Sequence, residues 1–336
     1  MNKFLNRLKS IYNFRSSSSN INSYPQEIIV EITNHCNLAC PMCSRVNMER
    51  SVGFMTIELF KKIIDESKDY AEIVHFAGGL GDPMLHPKFE QFINYAKINN
   101  VKVGLSTNAT MLSDKNISKL IKDSPDVMFL SLDGFTKETH EKIRVGSNFE
   151  KTIKGVENYL KAKVENNLQT YVVSQMVYMP INSDEAEKFK KKWSNNPGIN
   201  DVRLKKFLSF AGAPYQPDKN SKKNYSSCIL PWRQLSVSYN GFVGICCRDY
   251  NYDDKAGDLN HESIKEIWNS EKMINNRKLL SSNNKENIKS CKDCGTIKTN
   301  LFTQTGLIAL DAFRLRKMLP HFEKFLLKFK IPIDYD

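Results

Sequence analysis

The chain has 336 residues, 40% apolar and 26% charged, a soluble globular composition with room for two or three domains. No stretch approaches the roughly 20 apolar residues that cross a bilayer, which excludes an integral membrane protein built on helices. The net charge is +12, but seven of those charges fall in residues 1–20 and 314–336. The body therefore lacks the clustered basic face of a nucleic-acid-binding protein.

The first residues, MNKFLNRLKS, contain no continuous apolar run of the kind a secretory signal needs, so a cytoplasmic, reducing setting is expected. Phe4, Leu5, Leu8, Ile11 and Tyr12 fall near one helical face, with Lys3, Arg7, Lys9 and Arg15 around it. This basic amphipathic segment, residues 1–23, is expected to dock on the protein's own body through that stripe; contact with an anionic membrane surface is the alternative. Ser16–Ser19 reads as a short flexible hinge.

Strands and helices then alternate. Strands are expected over Ile28–Ile32, Glu72–Phe76, Val101–Leu105, Val127–Leu132, Tyr171–Tyr178 and Val202–Phe210. Helices are expected over Met55–Ser67, Lys88–Ile98, Asp114–Ile121, Glu150–Lys163 and Glu185–Trp193, the first with Phe60, Ile63 and Ile64 on one face. Six β/α units predict an α/β fold, a partial (β/α)6 barrel over residues 24–210 with a parallel sheet and right-handed crossovers. Chemistry in such sheets sits at the C-terminal strand ends. Residues 211–225, rich in Pro, Asn and Lys, read as a linker. Residues 226–300 read as a small α+β domain, with strands near Gln234–Tyr239 and Gly241–Ile245 and a helix near Ser263–Ser270. Residues 301–336 form a second basic amphipathic tail, with Leu315, Leu319, Phe322, Phe325, Leu326 and Phe329 in a stripe.

The eight cysteines fall in two groups, Cys36, Cys40 and Cys43, then Cys228, Cys246, Cys247, Cys291 and Cys294. Scattered buried thiols would not cluster in this way, and a chain without a signal sequence does not call for a disulfide framework. Metal chemistry is left. Zinc favours four ligands, often as two C-x2-C pairs. Three thiolates in one tight loop suit three corners of a [4Fe–4S] cubane, whose fourth iron then stays open for a cofactor or substrate. His35, adjacent to Cys36, is expected to be loop structure or to support a ligand from behind rather than to be a ligand itself. The second group has enough thiols to close a site completely, as an iron–sulfur cluster or a structural zinc.

Cys36-x3-Cys40-x2-Cys43 after a strand resembles the signature of the radical S-adenosylmethionine (SAM) superfamily, over about residues 24–210. Gly78-Gly79-Leu80-Gly81-Asp82-Pro83 resembles the loop that receives the SAM amino group. Ser106, Thr107 and Asn108 end one strand, and Ser131-Leu132-Asp133-Gly134 the next. The resemblance implies a SAM-binding [4Fe–4S] cluster on Cys36, Cys40 and Cys43, with SAM held by Met42, Gly78, Gly79, Asp82, Ser106, Asn108, Ser131 and Arg144. Met42 stands where the family usually has an aromatic, and Asp82 where Glu is commoner. Cys228-x12-Gly241-x4-Cys246 with Cys291-x2-Cys294 resembles the shortened SPASM, or twitch, domain. That implies an auxiliary [4Fe–4S] cluster on Cys228, Cys246, Cys291 and Cys294. Cys247 is a spare thiol, a substitute ligand or packing.

The implied activity is reductive cleavage of SAM to a 5′-deoxyadenosyl radical that abstracts hydrogen from a substrate C–H. The auxiliary cluster suggests a two-electron oxidation, which needs a general base; Asp133, Arg203 and Lys205 are the candidates at strand ends or on the last strand. The spacing resembles that of twitch-type aminocyclitol dehydrogenases, so a small polyol, aminocyclitol or sugar substrate is expected, with a flavodoxin- or ferredoxin-type electron donor. A peptide or protein maturase is the alternative, set back by a first barrel strand that begins near residue 27. A non-catalytic metal-binding scaffold is the alternative from another class.

Overall fold

A computed structural model describes residues 2–77, 80–207, 228–292 and 294. An N-terminal helix, α1 (Lys3–Arg15), precedes five β/α repeats and a sixth strand: β1 (Glu27–Val30), α2 (Ile57–Ser67), β2 (Ile73–Phe76), α3 (Phe89–Ile98), β3 (Lys102–Thr107), α4 (Asp114–Lys122), β4 (Val127–Ser131), α5 (Lys137–Ile143), α6 (Phe149–Glu165), β5 (Tyr171–Tyr178), α7 (Ala186–Ser194) and β6 (Asp201–Lys206). After residue 227 come a single helical turn, α8 (Leu230–Arg233), three strands, β7 (Gln234–Val237), β8 (Phe242–Gly244) and β9 (Gly257–Asp258), and two helices, α9 (Ile264–Trp268) and α10 (Glu271–Ser281). The expected 211–225 linker and 301–336 tail, with Gly78 and Gly79, lie outside the described residues.

All the strands join one sheet in the order β6-β5-β4-β3-β2-β1-β7-β8-β9. β1 to β6 are parallel neighbours in sequence order, as the alternation predicts. β7 adds to the far side of β1 in the same direction, pairing Glu27 with Gln234 and Val30 with Val237. β8 and β9 then turn back antiparallel. The barrel sheet and the strands of the second cysteine region are thus one hydrogen-bonded surface.

Strand alternation decides what each face meets. Val74, Phe76, Val103, Leu105, Met128, Leu130, Val172 and Met176 are fully buried. They pack with Phe60, Ile63, Ile64 and Phe92 of the covering helices in one continuous core. The opposite face carries the half-buried His75, Ser106, Phe129, Ser131 and Gln175, and this is the lumen of the partial barrel.

Two expectations at the N-terminus are corrected. The polar side of α1, not its apolar stripe, faces the body: Asn6, Arg7, Ser10 and Asn13 are buried with Phe14. Their polar atoms find fixed partners, Asn6 Nδ2 donating to Tyr24 O at 3.0 Å, Ser10 Oγ to Trp232 O at 2.8 Å, and Arg7 pairing with Glu72. Buried hydrogen-bonding groups are satisfied this way, whereas an apolar stripe offers nothing to a surface of exposed carbonyls. Ser16–Ser19 is likewise no free hinge, because Trp232 Nε1 donates to Ser18 O at 2.7 Å and Arg277 Nη1 to Ser19 O at 3.1 Å.

Candidate functional site

The loop after β1 carries the first three cysteines and is pinned from both sides. Asn34 Nδ2 donates to Ser51 O at 2.9 Å, and its Oδ1 accepts from Gly53 N at 2.8 Å. Asp82 N donates to His35 O at 2.7 Å, Ala39 N to Val145 O at 2.9 Å, and Cys43 N to Cys40 O at 3.0 Å. Met42 is half-buried in the turn between Cys40 and Cys43. His35 stacks on Phe54 at 4.3 Å, which gives it a packing role. The loop's outgoing arm is tied to the C-terminal region by Arg50, which makes two bonds to the Glu31 carboxylate at 2.8 and 2.7 Å and one to Tyr250 O at 2.6 Å.

Two buried aspartates, each just beyond a strand end, aim a donor at a thiol of this loop. Asp133, fully buried, pairs with Arg144 at 2.6 Å and accepts from Val177 N at 2.7 Å. Arg144 Nη1 in turn donates toward Cys40 Sγ at 3.8 Å. Asp82 accepts from Thr107 Oγ1 at 2.9 Å, Asn108 N at 2.7 Å and Met84 N at 3.0 Å. Asn108 Nδ2 donates toward Cys36 Sγ at 3.9 Å and to Asn37 Oδ1 at 3.1 Å. Hydrogen bonds to cluster sulfurs set reduction potential, and partners behind them hold the donors.

These contacts change the roles expected for four residues. Asp82 spends its carboxylate inside its own loop, so it is not turned out as a cofactor ligand. Burial pushes its pKa up while the three donors oppose the rise. Asn108 reaches the cysteine loop through its side-chain amide. Asp133 spends its carboxylate on Arg144 and Val177 N. Arg144, held in its charged form mainly by Asp133 against the burial that disfavours it, faces Cys40 and Asp133.

The chemistry of the loop suits an iron–sulfur cluster. Burial raises the pKa of all three thiols, and guanidinium and amide donors stand ready to compensate thiolate charge. Arg144 Nε is buried without a hydrogen-bond partner among the described residues.

The second cysteine group is also brought together. Cys228 is pushed up to about 12 by burial and then by the nearby Cys246 and Cys294. Cys291 is raised by burial and by Cys228, Cys246 and Cys294. Cys228 and Cys291 thus each lie within electrostatic reach of Cys246 and Cys294. Arg248 lies among them, its N–H donating to Cys246 Sγ at 3.4 Å and its Nη1 toward Cys294 Sγ at 3.8 Å. Cys247 hydrogen-bonds Cys246, the largest cause of the rise in the Cys246 pKa.

The lumen wall leads up to the first loop. His75 Nε2 meets Ser106 Oγ at 2.9 Å, and Gln175 Nε2 donates to Ser131 Oγ at 2.9 Å. Arg203 and Lys205 both lie over the Phe129 ring, at 5.7 and 5.8 Å from its centroid, as alternation along β6 predicts. Arg203 is also paired with Asp201 at 2.8 Å. His75 was not singled out by the sequence reading, although a signal existed. Gly104, its register partner on β3, is a glycine inside a strand, and a Cβ there would meet His75 Nδ1 at 2.6 Å.

With this geometry in view, comparison with known proteins is decisive. The Radical SAM superfamily model matches residues 30–192, and the iron-sulfur cluster-binding SPASM model matches residues 228–295. The chain is a radical SAM enzyme with a SPASM domain. Its cofactors are accordingly S-adenosylmethionine and iron–sulfur clusters in both domains. Among curated relatives, the tungsten-containing aldehyde ferredoxin oxidoreductase cofactor-modifying protein of Pyrococcus furiosus is 35% identical over 32% of this chain and 30% of its own length. Mycofactocin maturase MftC of Mycobacterium tuberculosis is 32% identical over 39% of this chain and 34% of its own. The chain thus matches about a third of the length of these relatives. Among solved structures, BtrN in complex with AdoMet and 2-DOIA superposes with a TM-score of 0.57 at 18% identity, covering 82% of this chain and 95% of that one. AnSMEcpe with bound AdoMet and Cp18Cys peptide gives 0.56 at 15% identity, covering 91% and 99%. At these identities the two structures show a shared fold.

Proposed function

We propose that this radical SAM enzyme oxidises a small polar molecule (a polyol, aminocyclitol or sugar derivative) by two electrons, converting a secondary alcohol to a ketone. The observation that carries the reading is the lumen wall. His75, Ser106, Ser131, Gln175 and Arg203 present short hydrogen-bonding groups around one aromatic face, that of Phe129, a lining suited to hydroxyls. When bound, SAM with the first cluster supplies hydrogen-atom abstraction from the substrate carbon, and the auxiliary cluster supplies an electron acceptor. Cys36, Cys40 and Cys43 hold the first cluster, and Cys228, Cys246, Cys291 and Cys294 the second. Asn108 and Arg144 hold the Cys36 and Cys40 sulfurs in place. By motif, Met42, Ser106 and Ser131 would contact SAM, as would Gly78 and Gly79. His75 takes the hydroxyl proton: burial lowers its pKa and keeps the ring neutral. Arg203 and Lys205 orient the substrate over Phe129. A flavodoxin- or ferredoxin-type protein supplies the priming electron.

Peptide modification is the second reading. It is supported by relatives named as maturases and by the likeness to a peptide-bound structure. The test is 5′-deoxyadenosine formation by the reduced, oxygen-free enzyme against a panel of polyols, aminocyclitols, sugars and Cys- or Ser-containing peptides. Stimulation by a hydroxylated small molecule, with a matching ketone product, supports the proposal. Stimulation by peptides alone replaces it with the second reading.

A further inference from the structure

The cysteines of the second domain lie on three stretches far apart in sequence, at Cys228, at Cys246 and Cys247, and at Cys291 and Cys294. Arg248 spans two of them. Its backbone N–H donates to Cys246 Sγ at 3.4 Å, and its Nη1 reaches Cys294 Sγ at 3.8 Å, across 46 residues of sequence. Its charge also bears on Cys228. The Cys228 pKa is raised chiefly by burial and that of Cys246 chiefly by its hydrogen bond with Cys247, and the Arg248 cation opposes the rise at both. Three of the four expected auxiliary ligands thus feel one guanidinium.

The segment that carries Arg248 is clamped on both sides. Asp249 N donates to Cys246 O at 3.1 Å, closing a turn around Arg248. The Asp249 carboxylate accepts from Asp253 N at 2.8 Å and Asp254 N at 2.9 Å, and Asp254 accepts from Ser290 N, just before Cys291, at 2.7 Å. Beyond Asp249, Tyr250 O takes Arg50 Nε at 2.6 Å, and Asn251 Oδ1 takes Glu49 N at 3.0 Å. Glu49 and Arg50 belong to the arm that leaves the first cysteine loop. Arg248 therefore stands on a backbone tied to both cysteine sites, which keeps its charge beside the sulfurs when their own charge changes. A cluster on these thiolates becomes more negative by one charge when it is reduced. A fixed cation donating to its sulfurs stabilises that reduced form more than the oxidised one and raises the reduction potential.

We infer that Arg248 sets the reduction potential of the auxiliary cluster, holding it higher than the cysteines alone would. The use of that potential, to suit the cluster as an electron acceptor, rests on the oxidation proposed above; the potential itself is a property of the loaded protein without substrate, so the two can fail separately. The test is an oxygen-free redox titration of the full-length protein carrying both clusters, followed by electron paramagnetic resonance. The signal of the first cluster is the one that moves when SAM is added. Arg248→Gln should make reduction of the auxiliary cluster at least about tenfold less favourable, a midpoint lower by about 59 mV for one electron. The midpoint of the first cluster and the iron content should stay as in the wild type. Arg248→Lys, which keeps the charge but not the fork that reaches sulfur, should fall between the two. An Arg248→Gln protein with both clusters and an unchanged auxiliary midpoint overturns the inference, as does an equal shift in both clusters. If Arg248→Gln fails to hold the auxiliary cluster, Arg248→Lys is read in its place: a lowered midpoint supports the inference and a wild-type midpoint overturns it. Loss of the cluster from both variants overturns it too, because Arg248 would then hold the site together rather than set its potential.

Discussion

Asp133 and Arg144 form an ion pair 2.6 Å apart, the carboxylate fully buried and the guanidinium 14% exposed, whose other arm points at Cys40. The pair's work is to deliver a fixed cation to a sulfur that becomes negative when it binds iron. Removing the carboxylate leaves the guanidinium buried and uncompensated, a change that costs about 3–5 kcal/mol. Asp133→Asn should therefore lower the denaturant midpoint by a large fraction of the protein's stability and reduce iron retained after desalting. Wild-type stability in that variant would show that the pair is not held by burial.

The auxiliary thiols make a sharper distinction between neighbours. Cys246 is grouped with Cys228 and Cys291 through their mutual charge, while Cys247 hydrogen-bonds Cys246 from the adjacent position. Cys247→Ala should keep full iron, whereas Cys246→Ala should lose the auxiliary cluster and its share of the absorbance near 400 nm (about half). The opposite pattern would move the ligand one residue along the chain.

His75 yields a prediction with a sign. Burial, then the charge on Lys205, lowers its pKa from the ordinary 6.5, with Glu27 opposing. The folded protein thus binds fewer protons here than the unfolded chain, so this group's contribution to stability is constant above 6.5 and shrinks as pH falls below it. Substrate oxidation should likewise hold its rate down through pH 6.5 and decline only at more acid values. His75→Gln should cut substrate oxidation by about two orders of magnitude yet leave substrate-free cleavage of SAM intact. Equal loss of both would assign the ring to SAM binding.

Gly81 lies where its loop crosses the end of β1, and a Cβ there would run into the Thr33 carbonyl oxygen. Because the obstacle is backbone, Gly81→Ala must shift the loop that orients Asp82. A destabilisation of about 1–3 kcal/mol, with lower iron occupancy, is expected from thermal unfolding and iron analysis. An unchanged melting temperature would mean that the loop stands farther from β1 than the structure has it.

Much of this architecture was readable because period-two and period-3.6 patterns report burial directly. Val74 and Phe76 alternate with His75, and Phe60, Ile63 and Ile64 share one helical face. The first cysteine spacing was readable because Cys36, Cys40 and Cys43 sit in one loop. The helix α5 was missed because its seven residues contain one buried apolar side chain, Ile143. Its start is set by distant Glu185, which accepts from Phe135 N and Thr136 N. The true face of α1 was hidden for a related reason. Asn6, Ser10 and Asn13 read as solvent-facing until their partners, as remote as Trp232, are known. Asp82 and Asp133 were found as motif residues, but motif position does not show whether a carboxylate points to a ligand or to its own scaffold.

The most direct test is made on protein reconstituted without oxygen: iron and sulfide content, then 5′-deoxyadenosine release with SAM and dithionite. About eight irons per chain with release of 5′-deoxyadenosine, and loss of release when Cys36, Cys40 and Cys43 are all changed to Ala, is the predicted result. A colourless, iron-free protein that leaves SAM intact, or a triple variant that still cleaves it, would contradict the account.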